Sequence, residues 1–266
     1  MPYSRTVTSE LVIQNLYEQK NIYNLCNRSF DGFLQEQRGA NKILIPSLPL
    51  LEAVTPPATN RKYLIGNTDM VECIAQKSVV EIGMEVEAKF TNKSGSLIKG
   101  FTEGMAKAHA KNFDAKVITE AQANGTTMTW DGAQISFGDI ANIDAKFDDM
   151  EVEADDRFVV YPARLKNQLY KDPDLARAIT YNPNFLTNGI VEVLNLKLIP
   201  SARVQKIGGK ENVVGIWGPG LAFILDNIVD REEVYDKTNK RVDIDYLVWY
   251  AVKLLRPEWA IVNIEQ

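Results

Sequence analysis

The sequence predicts an α+β protein built around one long helix and several short, mixed strands. Three observations support this: an apolar stripe at helical spacing in residues 96–123, apolar–polar alternation in residues 80–89, and a last third rich in strand-forming residues. The 266 residues can form one large domain or two modest ones, and can bury a core without disulfide bonds. The sequence contains no internal repeat and no low-complexity tract.

The chain before residue 80 shows little regular pattern. A short helix is predicted to begin at Ser9, which can cap its first turn, and the residues before it are expected to form a free arm. Residues 41–46 predict a short strand that Pro46 ends or confines to a sheet edge. Residues 48–69 hold three prolines and little periodicity, and so long an excursion inside a compact domain is usually functional or disordered.

The alternation in residues 80–89 predicts a half-buried antiparallel strand. The helix over residues 96–123 would be about 40 Å long. Its apolar stripe consists of Leu97, Phe101, Met105, Ala108, Phe113, Val117 and Ala121. Gly125 is suited to end this helix in a left-handed conformation, and residues 130–133 are typical of a tight hairpin turn.

A second amphipathic helix is predicted by apolar residues at helical spacing, with Asp139 near its start. These residues are Ile140, Ile143, Phe147 and Met150. Residues 157–161 predict an apolar strand. Pro162 is suited to the first turn of a helix that residues 172–173 would break.

The last third is predicted to be rich in strands. A turn at residues 188–189 precedes a strand over residues 190–199, and the polar residues 230–241 are typical of a hairpin tip. A long strand is predicted over residues 246–255, and a bend then leads into a final strand over residues 259–264.

Composition and charge exclude several functional classes. Lys and Arg number 30 against 35 Asp and Glu, so the basic excess of a generic nucleic-acid binder is missing. No apolar run approaches the roughly 18 residues of a membrane span, and residues 1–7 lack the apolar stretch of a secretory signal. Cys26 and Cys73 are expected to be free thiols, and with His109 alone beside them a zinc site is not expected. The chain is therefore expected to be soluble and intracellular in origin.

Catalytic motifs give only weak signals. His109 lies in the middle of the long helix, and a packed or solvated side chain is the better interpretation. The sequence contains neither a G-x-S-x-G elbow nor a phosphate-binding P-loop. Residues 207–210 are interpreted as a plain turn, and the glycines of residues 215–220 match a dinucleotide-binding loop only loosely.

Residues 139–156 carry eight acidic side chains against Lys146 alone. The eight are Asp139, Asp144, Asp148, Asp149, Glu151, Glu153, Asp155 and Asp156. They lack the spacing of a calcium loop, so a solvated face is the better interpretation. On an assembling protein this face would also suit a basic partner, and residues 1–62, with seven positive and five negative charges, would allow an arm to dock on it.

The order of the predicted elements resembles that of the major capsid proteins of tailed bacteriophages, which have the Hong Kong 97-type fold. Three stretches are similar to that family: a strand running into a proline-started helix, a turn and strand before a Ser-containing loop, and a carboxy-terminal strand. These stretches are residues 157–173, 188–201 and 252–260. Asn195 and Ala251 depart from the family, in which glycine is common at both positions, but asparagine tolerates the left-handed region.

The resemblance implies five parts. Residues 1–41 would be an N-arm lying over an adjacent subunit, and residues 42–83 the extended loop and its base. Residues 84–124 would form the peripheral domain with its spine helix. Residues 125–229 would form the axial domain, whose tips meet at fivefold and sixfold centres, and residues 230–266 would return to the peripheral domain.

The resemblance also implies a structural protein that is not an enzyme and that self-assembles as pentamers and hexamers into an icosahedral shell around double-stranded DNA. It implies no catalytic residue, metal or cofactor, only weak non-specific DNA contact, no membrane, and room for a separate scaffolding protein and a portal. The location would be the virion capsid, assembled in the host cytoplasm. Candidate intersubunit contacts are Arg5, Arg28, Arg38, Pro56, Pro57, Arg61, Lys62, Tyr63, Asp148, Asp149 and Glu151. Some members cross-link a loop lysine, here Lys62, to a neighbour's asparagine, and we expect no such bond because most members lack it.

Two other functions stay open on the sequence alone. An encapsulin-like nanocompartment shell would use the same fold to enclose an enzyme. An ordinary α+β enzyme would use carboxylate chemistry in the acidic segment, with Asp148 and Asp149 as the reacting groups.

Overall fold

The computed structural model describes residues 21–31, 42–47, 69–85, 95–130, 134–181, 191–194, 196–236, 238 and 241–266. These residues form an α+β fold, as predicted. The helices are α1 (Gly95–Asn124), α2 (Phe137–Asp149), α3 (Lys166–Lys171) and α4 (Pro173–Tyr181). The strands are β1 (Lys42–Ser47), β2 (Asp69–Ile74), β3 (Gln76–Glu85), β4 (Thr126–Trp130), β5 (Arg157–Pro162), β6 (Val191–Val193), β7 (Leu196–Ser201), β8 (Asn212–Trp217), β9 (Leu221–Asp236), β10 (Arg241–Leu254) and β11 (Ala260–Glu265).

The predicted long helix is confirmed as α1, which has 30 residues. Met105, Phe113 and Val117 of the predicted stripe are buried in a core shared with β9 and β10. Ala108, also expected in the stripe, is exposed. Thr102, His109 and Asp114 are buried instead, so the described part of the buried face of α1 carries three polar side chains that the apolar pattern does not reveal.

Gly125 ends α1 for a different reason from the one predicted. Gly208 and Gly209 have positive φ angles among the described residues, and Gly125 does not. A Cβ at Gly125 would lie 2.7 Å from the carbonyl oxygen of Ala121 and 3.0 Å from that of Ala260. Glycine is therefore needed because two backbone segments approach closely at the end of the helix.

The centre of the fold is a six-stranded mixed sheet in the order β4-β11-β8-β5-β7-β6. Alternate residues of β5 point to opposite faces. Phe158 joins the core around α1, whereas Val159 joins a second core built on α2 with Ile143 and Phe147. The sheet is thus covered on both faces by helices of its own chain. The predicted second helix and the strand at residue 157 are confirmed.

A second layer consists of two smaller sheets. Strands β3, β10 and β9 form an antiparallel sheet in that order. Strands β1 and β2 form a two-stranded ribbon, whose inner face packs Ile43, Ile45 and Cys73 against the β9–β10 pair. The predicted strand at residues 41–46 and the predicted polar hairpin before the long strand are confirmed, and the strand predicted over residues 80–89 begins earlier, at Gln76.

Two local predictions are wrong, and two elements were not predicted. The hairpin predicted after β4 is not formed, because β4 pairs in parallel with β11 and the next element is α2; residues 131–133 of the predicted turn lie outside the described residues. The single strand predicted over residues 190–199 is an antiparallel pair, β6 and β7, that turns at Leu194 with φ 53°. Strand β2 and helix α4 were not predicted.

Asp172 and Pro173 end α3 as predicted, but they also begin α4. The Oδ1 atom of Asp172 accepts a hydrogen bond from the backbone N–H of Asp174 at 2.8 Å, which caps the new helix. The helix predicted from Ser9, the loop over residues 48–68 and the turn at residues 188–189 lie outside the described residues.

Candidate intersubunit contact surfaces

Residues 21–31, which we call the amino-terminal segment, pack against the body of their own chain. The Tyr23 ring is fully buried, with its centroid 5.5 Å from that of Phe113 and 5.0 Å from that of Phe223. The backbone N–H of Tyr23 donates to Oδ1 of Asp114 on α1 at 3.1 Å. One aromatic side chain and one buried carboxylate therefore hold this segment to the spine helix.

The same segment covers the start of the outer edge of β9. Asn27 donates its N–H to the carbonyl of Leu221 at 2.9 Å and accepts from the N–H of Phe223 at 2.9 Å. The N–H of Leu225 donates to Oδ1 of Asp31 at 2.9 Å. Residues 27–31 thus replace a missing strand along this edge.

Arg28, a predicted contact residue, is engaged within its own chain. Its guanidinium donates to Oδ1 of Asn24 at 2.9 Å and pairs with Asp31 at 2.6 Å. It borders a cleft of about 440 Å³ that is also lined by Asp156 and Lys197. The contacts of residues 21–31 described here are thus intramolecular, and the N-arm over residues 1–41 stays a prediction.

The acidic segment is organised by Arg157, which is only 2% exposed. Its guanidinium lies 2.7 Å from Asp144 and 2.8 Å from Asp148, and it also donates to the carbonyls of Val152 and Glu153. The expectation of a solvated face is therefore wrong for Asp144, whose side chain is 17% exposed, whereas Asp148 pairs with Arg157 but remains 66% exposed. The sequence did not identify Arg157 as the partner of these acids, because it directly follows the acidic residues 139–156 and begins an apolar strand.

The other predicted contacts divide into two groups. Asp149 and Glu151 are exposed, and Glu151 has a left-handed backbone with φ 55°. Both are therefore accessible beside the Arg157 cluster. The remaining candidates lie outside the described residues: Arg5, Arg38, Pro56, Pro57, Arg61, Lys62 and Tyr63.

The outer side of the β1–β2 ribbon, which we call the ribbon face, is an apolar surface that sequence reasoning missed. Leu44, Met70 and Ile74 project from it and are 51%, 54% and 56% exposed. Lys42 and Glu72 form an ion pair of 2.8 Å on the same face. Three large apolar side chains on one face of a two-stranded ribbon are typical of a surface that another chain covers.

A second outer surface lies on the β3-β10-β9 sheet. Lys77 lies 4.6 Å from the ring centroid of Trp249. Four residues away from this pair along β3 and β10, Asp245 is directly opposite Glu81 on one side and Glu232 on the other. We call these three residues the acidic row. Adjacent like charges repel unless a cation lies nearby, so this row would favour a basic partner.

The buried ionisable groups do not form an accessible reactive site. Nδ1 of His109 lies 2.9 Å from Oγ of Ser78, both side chains are buried, and burial lowers the pKa of His109 to about 4. Cys26 and Cys73 are free and buried, as predicted, and burial raises the pKa of each thiol. No three His, Cys, Asp or Glu side chains within the described ranges are placed to hold a metal ion.

The two glycine-containing stretches have structural roles. Ile207 and Lys210 exchange backbone hydrogen bonds of 3.1 and 3.0 Å around Gly208 and Gly209, which confirms the predicted turn. Residues 218–220 form a 3₁₀ turn that connects β8 directly to β9. Among the helices that the structure describes, none has the length and hydropathy to cross a membrane.

Comparison with solved structures assigns the fold. The chain superimposes on a structure from Mycobacterium phage Che8 with a TM-score of 0.67 and 18% identity, covering 92% of this chain and 91% of that chain. The capsid of Ralstonia phage GP4 matches with a TM-score of 0.61 and 9% identity, over 95% and 89% of the two chains. The chain therefore has the capsid fold of tailed phages, as the resemblance implied.

The chain is also similar in fold to an encapsulin. The holo-SrpI encapsulin complex from Synechococcus elongatus matches with a TM-score of 0.53 and 9% identity, over 74% of this chain and 75% of that chain. No protein-family model matches the chain. No curated protein matches it either.

Proposed function

We propose that the chain is a major capsid protein, which self-assembles as pentamers and hexamers into an icosahedral shell around phage double-stranded DNA. The observation that carries this proposal is the fold likeness to phage capsid structures over more than nine-tenths of the chain. The role is structural, without an active site. Its location would be the virion capsid, assembled in the host cytoplasm.

The bare ribbon face supports a role in assembly. A two-stranded ribbon is marginally stable in water, and within the described residues this one packs its inner face against its own chain. Its outer apolar side chains, Leu44, Met70 and Ile74, are exposed in the single subunit. Packing against a neighbouring copy would remove them from water, and head-to-tail contacts of this kind close into rings.

We keep the proposed division of the chain with one change. Residues 42–83, 84–124, 125–229 and 230–266 would be the extended loop, peripheral domain, axial domain and returning strands. The N-arm would lie within residues 1–41, with residues 21–31 as its attachment to the subunit body, since that part packs on α1 and β9.

The acidic row gives a testable contact for the extended loop. Arg61 and Lys62 are adjacent cations in the loop of residues 48–68, and we propose that they pair with the acidic row of a neighbouring copy. Changing both to glutamate should block assembly. Combining that change with Glu81→Lys and Glu232→Lys should restore it, whereas adding Asp149→Lys, which alters an exposed acid outside the row, should not.

Other partners would be few. A separate scaffolding protein and a portal would act during assembly, and contact with the packaged DNA would be weak because the chain carries a net charge of −5. An encapsulin-like shell is the second candidate, which the match to the encapsulin complex supports less closely. We expect no covalent link through Lys62, so denatured particles should give one band at the monomer mass.

The decisive experiment is negative-stain microscopy and sedimentation of the purified full chain, alone and co-expressed with the scaffolding gene of its neighbourhood. We expect capsomers or shells of megadalton mass. A monomer under all conditions would contradict the proposal. Nuclease-protected double-stranded DNA in particles from infected cells would indicate a virus, and an enclosed enzyme would indicate the compartment.

A further inference from the structure

Asp114 is a buried carboxylate on α1 that links this helix to the amino-terminal segment. Its residue is 6% exposed, and it lies on the face of α1 that contacts the amino-terminal segment. The backbone N–H groups of Tyr23 and Ile22 donate hydrogen bonds to its carboxylate. The carboxylate therefore bridges the spine helix to a segment 91 residues earlier in the chain.

The charge of Asp114 is poorly compensated. Its nearest cation, Arg203, is partly exposed and lies 3.9 Å away, longer than a hydrogen bond. From the amino-terminal segment, Tyr23 and Cys26 face it as neutral groups, and the guanidinium of Arg28 is held by Asp31. Earlier on α1, His109 bonds to Ser78 instead.

We propose that Asp114 is a proton-dependent anchor for the amino-terminal segment, so that residues 21–31 are held more firmly to α1 once Asp114 takes up a proton. A protonated carboxyl still accepts the N–H of Tyr23 through its carbonyl oxygen, but it no longer carries a charge in an apolar site. The proton comes from solvent and no bond other than O–H forms. This anchor is intramolecular and does not depend on the proposed function.

The direction of the effect follows from burial. Burial raises the pKa of Asp114 to about 6, while backbone hydrogen bonds and Arg203 act in the opposite sense. Release of the segment exposes the carboxyl to water and returns its pKa towards the ordinary value of 3.8, so protonation favours the docked state. Docking is therefore strongest below about pH 4, weakens as the pH rises to 6, and is constant above that.

The test is hydrogen–deuterium exchange of the full chain at pH 5.0 and pH 7.5, corrected for intrinsic exchange rates. We expect the protection of the Ile22 and Tyr23 amides to be about tenfold higher at pH 5.0. The amides of Val213 and Val214 in β8 serve as the internal reference for global unfolding. Equal protection at both values, or an equal change in β8, would overturn the proposal.

Two variants separate a titrating anchor from a structural contact. Asp114→Asn keeps an oxygen acceptor but cannot ionise, so the tenfold change should disappear. Arg203→Gln removes the opposing cation, so the midpoint of the wild-type change should move to higher pH. If Asp114→Asn retains the full change, the proposal is wrong. Should that variant not fold, the Arg203→Gln titration decides, and an unmoved midpoint counts against the proposal.

Discussion

The six-stranded sheet and the β1–β2 ribbon differ in how many of their faces are covered. The sheet is covered on both faces, whereas the ribbon is covered on one. The central sheet carries α1 on one face and α2 on the other, so every central strand is buried by its own chain. The ribbon buries Ile43 and Ile45 but leaves Leu44 exposed between them. The first region is complete in the monomer, whereas the second presents a surface suited to another molecule.

This difference predicts which region determines the stability of the single chain and which determines its association with others. Removing atoms from a buried layer leaves a cavity that costs free energy whatever the oligomeric state. Removing them from an exposed face costs little until a partner is present. Substitutions in the central sheet should therefore lower the free energy of unfolding, and substitutions on the ribbon face should instead weaken association with another chain. The following experiments test this distinction.

Phe147→Ala should have the largest effect. Phe147 is fully buried between α2 and the central sheet, so its removal should lower the free energy of unfolding by about 3–5 kcal/mol. Leu44→Ala on the ribbon face is the control and should change it by less than about 0.5 kcal/mol. Urea unfolding of the two variants measures both values, and similar losses would abolish the distinction.

Arg157→Met should be next, because it leaves Asp144 and the carbonyls of residues 152 and 153 without their donor. We expect a loss of about 3 kcal/mol. Arg164→Met removes an arginine that bonds Glu211 at the surface and should cost about 1 kcal/mol or less. Equal losses in the free energy of unfolding would show that the buried Arg157 cluster stabilises the fold no more than a surface ion pair.

His109→Gln tests the junction between α1 and β3. The pKa of His109 is lowered from 6.5 to about 4, so the native state loses stability as the pH falls from 6.5 to 4, by about 3 kcal/mol in total. The glutamine variant should lack this loss. Asp114 acts in the opposite direction, so the comparison is made in an Asp114→Asn background. Thermal melts at several pH values provide the readout, and parallel curves would refute the expectation.

Gly215→Ala should cost about 1–3 kcal/mol by overpacking. A Cβ at this position in β8 would lie 2.5 Å from Cγ2 of Ile143, so α2 would have to move. Gly104→Ala is the matched control: nothing lies within 4 Å of its Cβ position in α1, and the change should stabilise the helix by up to about 1 kcal/mol. Calorimetry of both proteins should give shifts of opposite sign.

Replacing Leu44, Met70 and Ile74 together by serine should have the smallest effect on the isolated subunit, about 1 kcal/mol or less in total. The same protein should fail to form particles in the sedimentation assay. Ile43→Ser, one residue along on the inner face, should instead lower the melting temperature. Normal particles from the triple variant would show that the ribbon face is not a contact surface.

The elements that the sequence predicts correctly have local, periodic signals. Helix α1 repeats its apolar residues over eight turns, and β10 follows a polar hairpin tip that breaks the pattern cleanly. Helix α4 was missed because Pro173 was interpreted only as a helix breaker, although proline is equally suited to a first turn. Strand β2 was missed because more than twenty residues of sequence separate it from its partner β1.

The contact surfaces were harder to predict for a physical reason. Arg157 is held by Asp144, 13 residues earlier, and Asp31 bonds Leu225, 194 residues later. No local pattern identifies such partners, because they are set by how the layers pack. The ribbon face likewise depends on which side of a strand the body covers, which the alternation of Ile43, Leu44 and Ile45 cannot show.

The bonds from Asn27 and Asp31 to β9 also affect how the isolated chain meets other polypeptides. Leu221, Phe223 and Leu225 would otherwise present free backbone groups at a sheet margin, where any passing chain could add a strand and begin aggregation. With those groups already occupied, this part of the β9 edge cannot recruit a strand from another copy, which lowers the tendency of the isolated chain to aggregate.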